Sequence, residues 1–191
     1  AINAAVNDCR GEFVTLLDCG TKMTSSGWLT DLLAIAVQPG VGAVSAKILN
    51  KDGTVEHAGY VLGLGGPAGS AFSRQPGNSP CYFGRAKLIS SFSATTGSCM
   101  VIKKSRFQQV GGYEEHELSR SIADVDLCLR LGEAGYRTVL NPNALLIRLE
   151  SSTYEELELN PDQQKRDKQF MHERWGEELL NDPFYSPNLT L

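Results

Sequence analysis

Two aspartates are placed where a carboxylate can do chemistry, and the more telling of them, Asp124, stands at the mouth of a helix. The stretch from Ser121 to Tyr136 reads as that helix, with Leu127, Cys128, Leu131 and Ala134 on one stripe and Asp126, Arg130 and Glu133 on the opposite one at ion-pair spacings. Gly135 stops it as the residue past the C-cap. Counting back along the buried stripe lands on Asp124, so a carboxylate points the way the core residues point. One reading is a capping box, Ser121-x-x-Asp124, contributing ~1 kcal/mol. The other is a general base, held beside a cleft, kept ionised by the helix dipole and able to take a proton from a hydroxyl. The two readings are compatible.

Asp18 is the second aspartate, ending the short run of strand formers Glu12-Phe-Val-Thr-Leu-Leu. Around these two the chain alternates strands and helices. A helix runs from a cap at Ser25 or Ser26 to Gln38 and stops at Pro39-Gly40, and a strand follows over Val41 to Leu49. A turn at Asn50-Lys-Asp-Gly53 leads to a partner strand, Thr54 to Leu62, in which His57 reads as a packed, hydrogen-bonded side chain. Residues 63–86 are rich in Gly, Pro and Ser and read as a long irregular segment. Ser93 to Lys103 reads as a strand whose Gly97 marks a close approach of ligand or backbone. A short helix from Ser105 ends at Gly111-Gly112, strands lie near residues 136–140 and 144–149, and Asn160-Pro161 opens a helix to about Trp175. The two-proline tail 181–191 is extended, so residues 155–191 form a C-terminal helix and tail.

This order predicts one α/β domain, a mixed sheet flanked by helices. Ligands of such sheets bind beyond the carboxyl ends of the strands, where Asp18 and Asp124 can converge. One carboxylate holding charge near a ligand and one taking a proton suit group transfer from a phosphate-activated donor.

Composition narrows the classes. A formal charge of -4 with scattered Lys and Arg gives no basic field for nucleic acid. No stretch approaches the ~18 apolar residues of a membrane span. Cys9, Cys19, Cys81, Cys99 and Cys128 form an odd set without a Cys-x-x-Cys pair and read as reduced thiols of a cytoplasmic protein. Ala1-Ile-Asn-Ala-Ala-Val-Asn7 reads as the tail of a helix, as in a fragment cut from a longer chain.

The succession Asn3-x-x-x-Asn7, Gly11-Glu-Phe-Val-Thr-Leu-Leu-Asp18-x-x-Thr21, Gly27-Trp28-Leu29, Val41-Gly-Ala-Val44, Asp52-Gly-Thr-Val-x-His57-Ala-Gly59, Thr96-Gly97, Val110-Gly-Gly-Tyr113 and Asp124-Val-Asp-Leu-Cys-Leu-Arg-Leu131 resembles the family 2 inverting glycosyltransferases of the GT-A fold. Its rhamnosyltransferase-like branch is the nearest match, and the ending Trp175…Asp182-Pro-Phe-Tyr-Ser-Pro-Asn-Leu189 is similar to that branch's ending. The resemblance implies a GT-A-like mixed sheet whose N-terminal nucleotide-binding strands would precede Ala1. Residues 1–191 would then be the acceptor-side part of the domain, inactive alone and prone to self-association.

The resemblance further implies transfer of a sugar from a nucleotide-sugar donor to a glycan or lipid-linked acceptor, in the cytoplasm or peripherally at the inner face of the membrane. Asp124 would be the catalytic base. Asp18, Gly97, Asp126 and Arg148 would contact donor or acceptor, and Asp18 would help hold a divalent cation, Mg or Mn, against the diphosphate. Four positions depart from the family pattern. Gly20 stands for the second carboxylate of the Asp-x-Asp-like motif, Arg148-Leu-Glu-Ser151 replaces a His-His-Glu-Ser-like segment, Ala123 precedes the base, and Met171 replaces the Gln of the processive synthases. Arg148 either meets a donor phosphate with two parallel hydrogen bonds in place of the ion or pairs with Glu150 or a surface acid. The alternative from another class is a catalytically degenerate binding module that has lost its metal site.

Overall fold

The computed structural model describes residues 1–149, 160–186 and 188. Its centre is a mixed seven-stranded sheet whose main path runs, in order, through residues 13–17, 99–103, 41–49, 137–148 and 21–23. The strands are β1 (Phe13–Leu17), β2 (Thr21–Met23), β3 (Val41–Leu49), β4 (Val55–His57), β7 (Ser90–Phe92), β8 (Cys99–Lys103) and β9 (Arg137–Arg148). β3 and β9 run parallel at the core, and every other pairing is antiparallel, including β4 on β3 and β7 on β9. Strand periodicity sorts side chains to two faces. Leu16, Ala43, Met100 and Ile102 look toward α1 (Ile2–Asp8), α3 (Lys104–Gln109), α4 (Arg120–Glu133) and α5 (Pro161–Trp175). Val44, Ala46, Ile48, Cys99 and Val101 look toward α2 (Trp28–Ala36).

Four expectations are corrected. The segment Thr54–Leu62 is not one strand: β4 ends at His57, the chain turns at Gly59, and β5 (Tyr60–Leu62) pairs away from the sheet with β6 (Ala68–Ser70). Gly59 has φ +94, and a Cβ there would lie 2.4 Å from the Phe92 ring, so the turn requires glycine. The segment Ser93–Lys103 is likewise broken, with residues 93–98 crossing between β7 and β8. The two strands near 136–149 are one, with a register shift against β3 between Ala46 and Lys47. Helix α2 is capped by Gly27, not by Ser25 or Ser26. Within the Gly- and Pro-rich segment lie β6 and a 3-10 turn at Tyr82–Lys87.

Helix α4 departs from its expected beginning, and for a reason that bears on the site. Its N-cap is Ser119, whose side chain makes no cap bond, so Ser121 and Asp124 lie inside the helix and form no capping box. Residues 123–128 are all buried, because the sheet, the 93–98 crossing and α5 enclose the helix together. Asp126 and Arg130 are therefore not on a solvent face, and Ala134 is exposed. The C-terminus ends as the sequence indicates, with Gly135 at φ +83 and the Tyr136 and Gly135 N–H groups donating to Leu131 and Gly132 carbonyls. α5 starts at Asn160, whose side chain accepts from the Asp162 N–H, with Pro161 first in the helix.

Candidate active site

Strand pairing decides what meets Asp18. β1 ends at Leu17, opposite Cys99, so the Asp18 N–H donates to the Ser98 carbonyl at 2.9 Å. β2 pairs with β9 so that Thr21 faces Arg148, and that register lays the Arg148 side chain beside Asp18. The Arg148 Nη1 donates to Asp18 Oδ2 at 3.0 Å, Nε to Glu56 Oε1 at 2.6 Å and Nη2 to Ser98 Oγ at 3.1 Å. Arg148 is 8% exposed, and Asp18 also accepts the Gly20 N–H on Oδ1 at 2.9 Å. Burial pushes the Asp18 carboxyl up, but the Gly20 N–H and the Arg148 guanidinium outweigh it and hold it below the usual range. Arg148 is pushed down by burial and carried above its usual value by Glu56 and Asp18. Arg148 pairs with acids, as one of its two readings has it, and these are Asp18 just past the end of β1 and Glu56 of β4. Glu150 lies outside the described residues.

The same crossing that supplies Ser98 supplies the partners of Asp124. Its Oδ2 accepts the Gly97 N–H at 2.6 Å and the Thr96 hydroxyl at 3.4 Å, and its Oδ1 accepts the Tyr113 hydroxyl at 2.6 Å. Gly97 is not inside a strand. A Cβ on it would lie 2.5 Å from Asp124 Oδ1 and 2.6 Å from the Tyr113 oxygen, so the close approach read from the sequence is that of these two side chains. Burial first, then the Asp124 carboxylate, raises Tyr113 well above the ordinary phenol value, so the hydroxyl stays a donor. Thr96 Oγ1 lies 3.2 Å from Ser98 Oγ, completing a polar chain from Asp18 and Arg148 to Asp124.

Behind this chain His57 is fully packed. Its Nε2 accepts from the Gly59 and Thr96 N–H groups at 3.2 and 3.3 Å and lies 2.9 Å from Thr95 Oγ1, which in turn touches the Ser45 hydroxyl. Burial, aided by the Arg148 charge, lowers its pKa to about 3, so the ring is neutral and fixes the 93–98 crossing. Asp126, expected beside donor or acceptor, is instead part of the core. It has no exposed surface, pairs with Arg130 at 2.8 Å, accepts the Trp175 indole N–H at 3.0 Å and lies 3.5 Å from Arg174. Cys99 and Cys128 are pushed up to about 12 by burial and serve as small core residues.

The structure thus brings Asp18, Gly97, Asp124 and Arg148 to one end of the sheet and puts Asp126 elsewhere. Glu56, Ser98, Thr96 and Tyr113 join them without having been singled out as site residues. Tyr113 was within reach of the sequence, since it ends the Val110-Gly-Gly-Tyr113 motif. Glu56 had no signal beyond its place beside His57. Arg120, the first residue of α4, adds positive charge near Asp18 and Tyr113. A cleft of about 500 Å³ opens beside that helix start, lined by Gly66, Ser119, Ser121, Gln164 and Lys168 among others. A larger apolar cavity, about 690 Å³, lies at the far end of α4 against Leu129, Gly132 and Tyr136, and Asp124 lines neither of the two.

Among the described residues, the donors around Asp18 do not suit a divalent cation. Both Asp18 oxygens are engaged, one by a guanidinium, Gly20 offers no side chain, and no cluster of three His, Cys, Asp or Glu suited to a metal exists among the described residues.

No family model matches the chain. An uncharacterized protein of Sinorhizobium fredii is 41% identical over 191 residues, 99% of this chain and 21% of that protein. An O-antigen biosynthesis protein of Myxococcus xanthus is 32% identical over 191 residues, 99% of this chain and 15% of that protein. An N-acetylglucosaminyl-diphospho-decaprenol L-rhamnosyltransferase of Mycobacterium tuberculosis is 45% identical over 49 residues, 26% of this chain and 16% of that enzyme. The chain therefore spans about a fifth or less of the length of the relatives it matches. Among solved structures, a mannosyltransferase from Pyrobaculum calidifontis in complex with GDP-Man and Mn2+ superposes with a TM-score of 0.56 at 15% identity, over 94% of this chain and 48% of that one. GalNAc-T7 with UDP, GalNAc and Mn2+ superposes with a TM-score of 0.63 at 12% identity, over 94% and 36%.

Proposed function

From a chain that is glycosyltransferase-like, with the GT-A fold and rhamnosyltransferase-like relatives, we propose that the whole protein transfers a sugar from a nucleotide-sugar donor to a glycan or lipid-linked acceptor with inversion, and that Asp124 is the base. The observation that carries this is the polar chain from Asp18 and Arg148 through Ser98 and Thr96 to Asp124. The crossing at residues 96–98 links the charged group of Asp18, Glu56 and Arg148, which this reading takes as the phosphate side, to the buried carboxylate of Asp124. Asp124 takes the proton of the acceptor hydroxyl as that oxygen bonds to the anomeric carbon. The bond from that carbon to the diphosphate breaks on the opposite face, and the electron pair leaves with the nucleoside diphosphate. Tyr113 and the Gly97 N–H aim the carboxylate, so little reorganisation accompanies the proton transfer.

The cleft at the start of α4, with a polar lining that includes Ser119, Ser121, Gln164 and Lys168, lies at the helix that carries Asp124 and is in this reading the acceptor side. A peripheral place at a membrane accords with the 3-10 turn, where Tyr82, Phe83, Leu88 and Ile89 are more than half exposed beside Lys87 and no acidic residue occurs between His57 and Tyr113. No helix among the described residues is long and apolar enough to cross a membrane. The test is donor turnover by the full-length protein and its Asp124→Asn variant. Loss of transfer with retained folding supports the reading, and parental turnover by the variant refutes it. The degenerate-module alternative predicts saturable sugar or nucleotide binding with no turnover by either.

A further inference from the structure

We propose that Arg148 occupies the place beside Asp18 that a divalent cation would need, so that this protein works without a metal ion. The inference rests on the glycosyl-transfer reading and concerns only whether a metal ion takes part in it.

Arg148 stands where a metal site would have to be built. Its Nη1 is 3.0 Å from Oδ2 of Asp18, the one acidic side chain left from the Asp-x-Asp-like motif. Any dication bound to that oxygen would face a cation at contact distance. The guanidinium cannot lose its proton to make room, because Glu56 and Asp18 hold its pKa above the usual value. It cannot readily swing away either: Glu56 Oε1 holds Nε at 2.6 Å, Ser98 Oγ holds Nη2 at 3.1 Å, and Arg148 is the last residue of β9. Gly20 and Arg148 are thus one change seen from two sides. The first removes a carboxylate ligand, and the second sets a permanent charge against the carboxylate that stays.

A guanidinium has five N–H donors in a plane, and Glu56, Asp18 and Ser98 take one from each of its three nitrogens. Asp18 and Glu56 bring two negative charges against the single charge of Arg148, and Arg120 at the start of α4, close to Asp18, brings the group to neutrality. The helix N-terminus adds partial positive charge at the same end of the sheet. Glu56 is in this view the residue that orients Arg148, the part a metal ligand would otherwise play.

The experiment uses the full-length protein and has two readouts. Free Mn2+ is followed by electron paramagnetic resonance during titration, with and without uridine or guanosine diphosphate, and donor turnover is measured in chelator and in millimolar Mn2+. The parent is expected to take up no Mn2+ beyond that bound by the free nucleotide, and its turnover is expected to change less than twofold with chelator. Arg148→His, which removes the fixed charge and adds a metal ligand, is expected to bind Mn2+ at least tenfold more tightly and to depend on it for turnover. Stoichiometric Mn2+ uptake by the parent, or turnover abolished by chelator and restored by Mn2+, overturns the proposal. If Arg148→His does not fold, the parent measurements decide alone. If no preparation turns over any donor, the glycosyl-transfer reading fails, while the Mn2+ titration still tests the claim about the ion.

Discussion

Replacing Asp124 by Asn separates what the carboxylate does for the fold from what it does for the reaction. Asn has the same shape and keeps one oxygen, so the Gly97 N–H, now 2.6 Å from Oδ2, retains an acceptor, and the Tyr113 hydroxyl, 2.6 Å from Oδ1, can turn to accept from the new amide. What is lost is the charge on two short bonds. Bonds to a charged group contribute about 1.5–3 kcal/mol against about 0.5–1.5 for neutral ones, so the substitution removes roughly 2 kcal/mol, less whatever relief comes from no longer burying a charge. For a domain of this size that corresponds to a fall in Tm of about 4–8 °C. The rate should fall by about 100-fold or more, because no proton acceptor is left at the attacking hydroxyl. Calorimetry and a nucleoside diphosphate release assay on the full-length protein measure the two effects. Tyr113→Phe is the companion variant: it drops one of the two bonds and melts lower, but keeps the base and most of the rate. Parental turnover by Asp124→Asn, or an equal loss of rate in Tyr113→Phe, would refute the assignment of the base.

Three further outcomes follow from the geometry. Gly97→Ala forces a methyl to 2.5 Å from Asp124 Oδ1, and the displaced carboxylate gives a loss of about 1–3 kcal/mol and a drop in transfer, seen as a lower Tm together with a lower kcat. Asp126→Ala leaves Arg130 buried without its carboxylate and the Trp175 indole without its acceptor, and should destabilise by about 3–5 kcal/mol in urea titration; a change under 1 kcal/mol would show the pair to be dispensable. His57 takes up its proton near pH 6.5 when unfolded and near pH 3 when folded, so the unfolded state binds more protons between these values and stability falls as pH drops, by about 1.4 kcal/mol per pH unit from this group. Urea unfolding from pH 7 to 4 should show a shallower pH dependence in His57→Gln, and identical slopes would mean that the ring is protonated in the fold.

Much of the architecture is written locally. The run Phe13–Leu17, the Asp-Gly turn before β4, the Asn160-Pro161 start of α5 and the Gly135 end of α4 depend on periodicity and on backbone preferences that neighbouring residues fix, and the sequence determines them. It also marks Asp18, Gly97, Asp124 and Arg148 as residues of interest, by position at strand and helix ends and by motif. Their partners were decided only by the tertiary structure. Whether Asp126 faces solvent or core turns on α5 packing its Trp175 across α4, a contact spanning 49 residues in sequence. Whether Arg148 meets an acid or a phosphate turns on the β2–β9 register and on Glu56 arriving from β4, 92 residues away. A helical stripe records which residues share a face. It does not record how many neighbours enclose the helix, so a buried ion pair and an exposed one look alike until the chain is packed, when desolvation obliges every buried charge to find a partner.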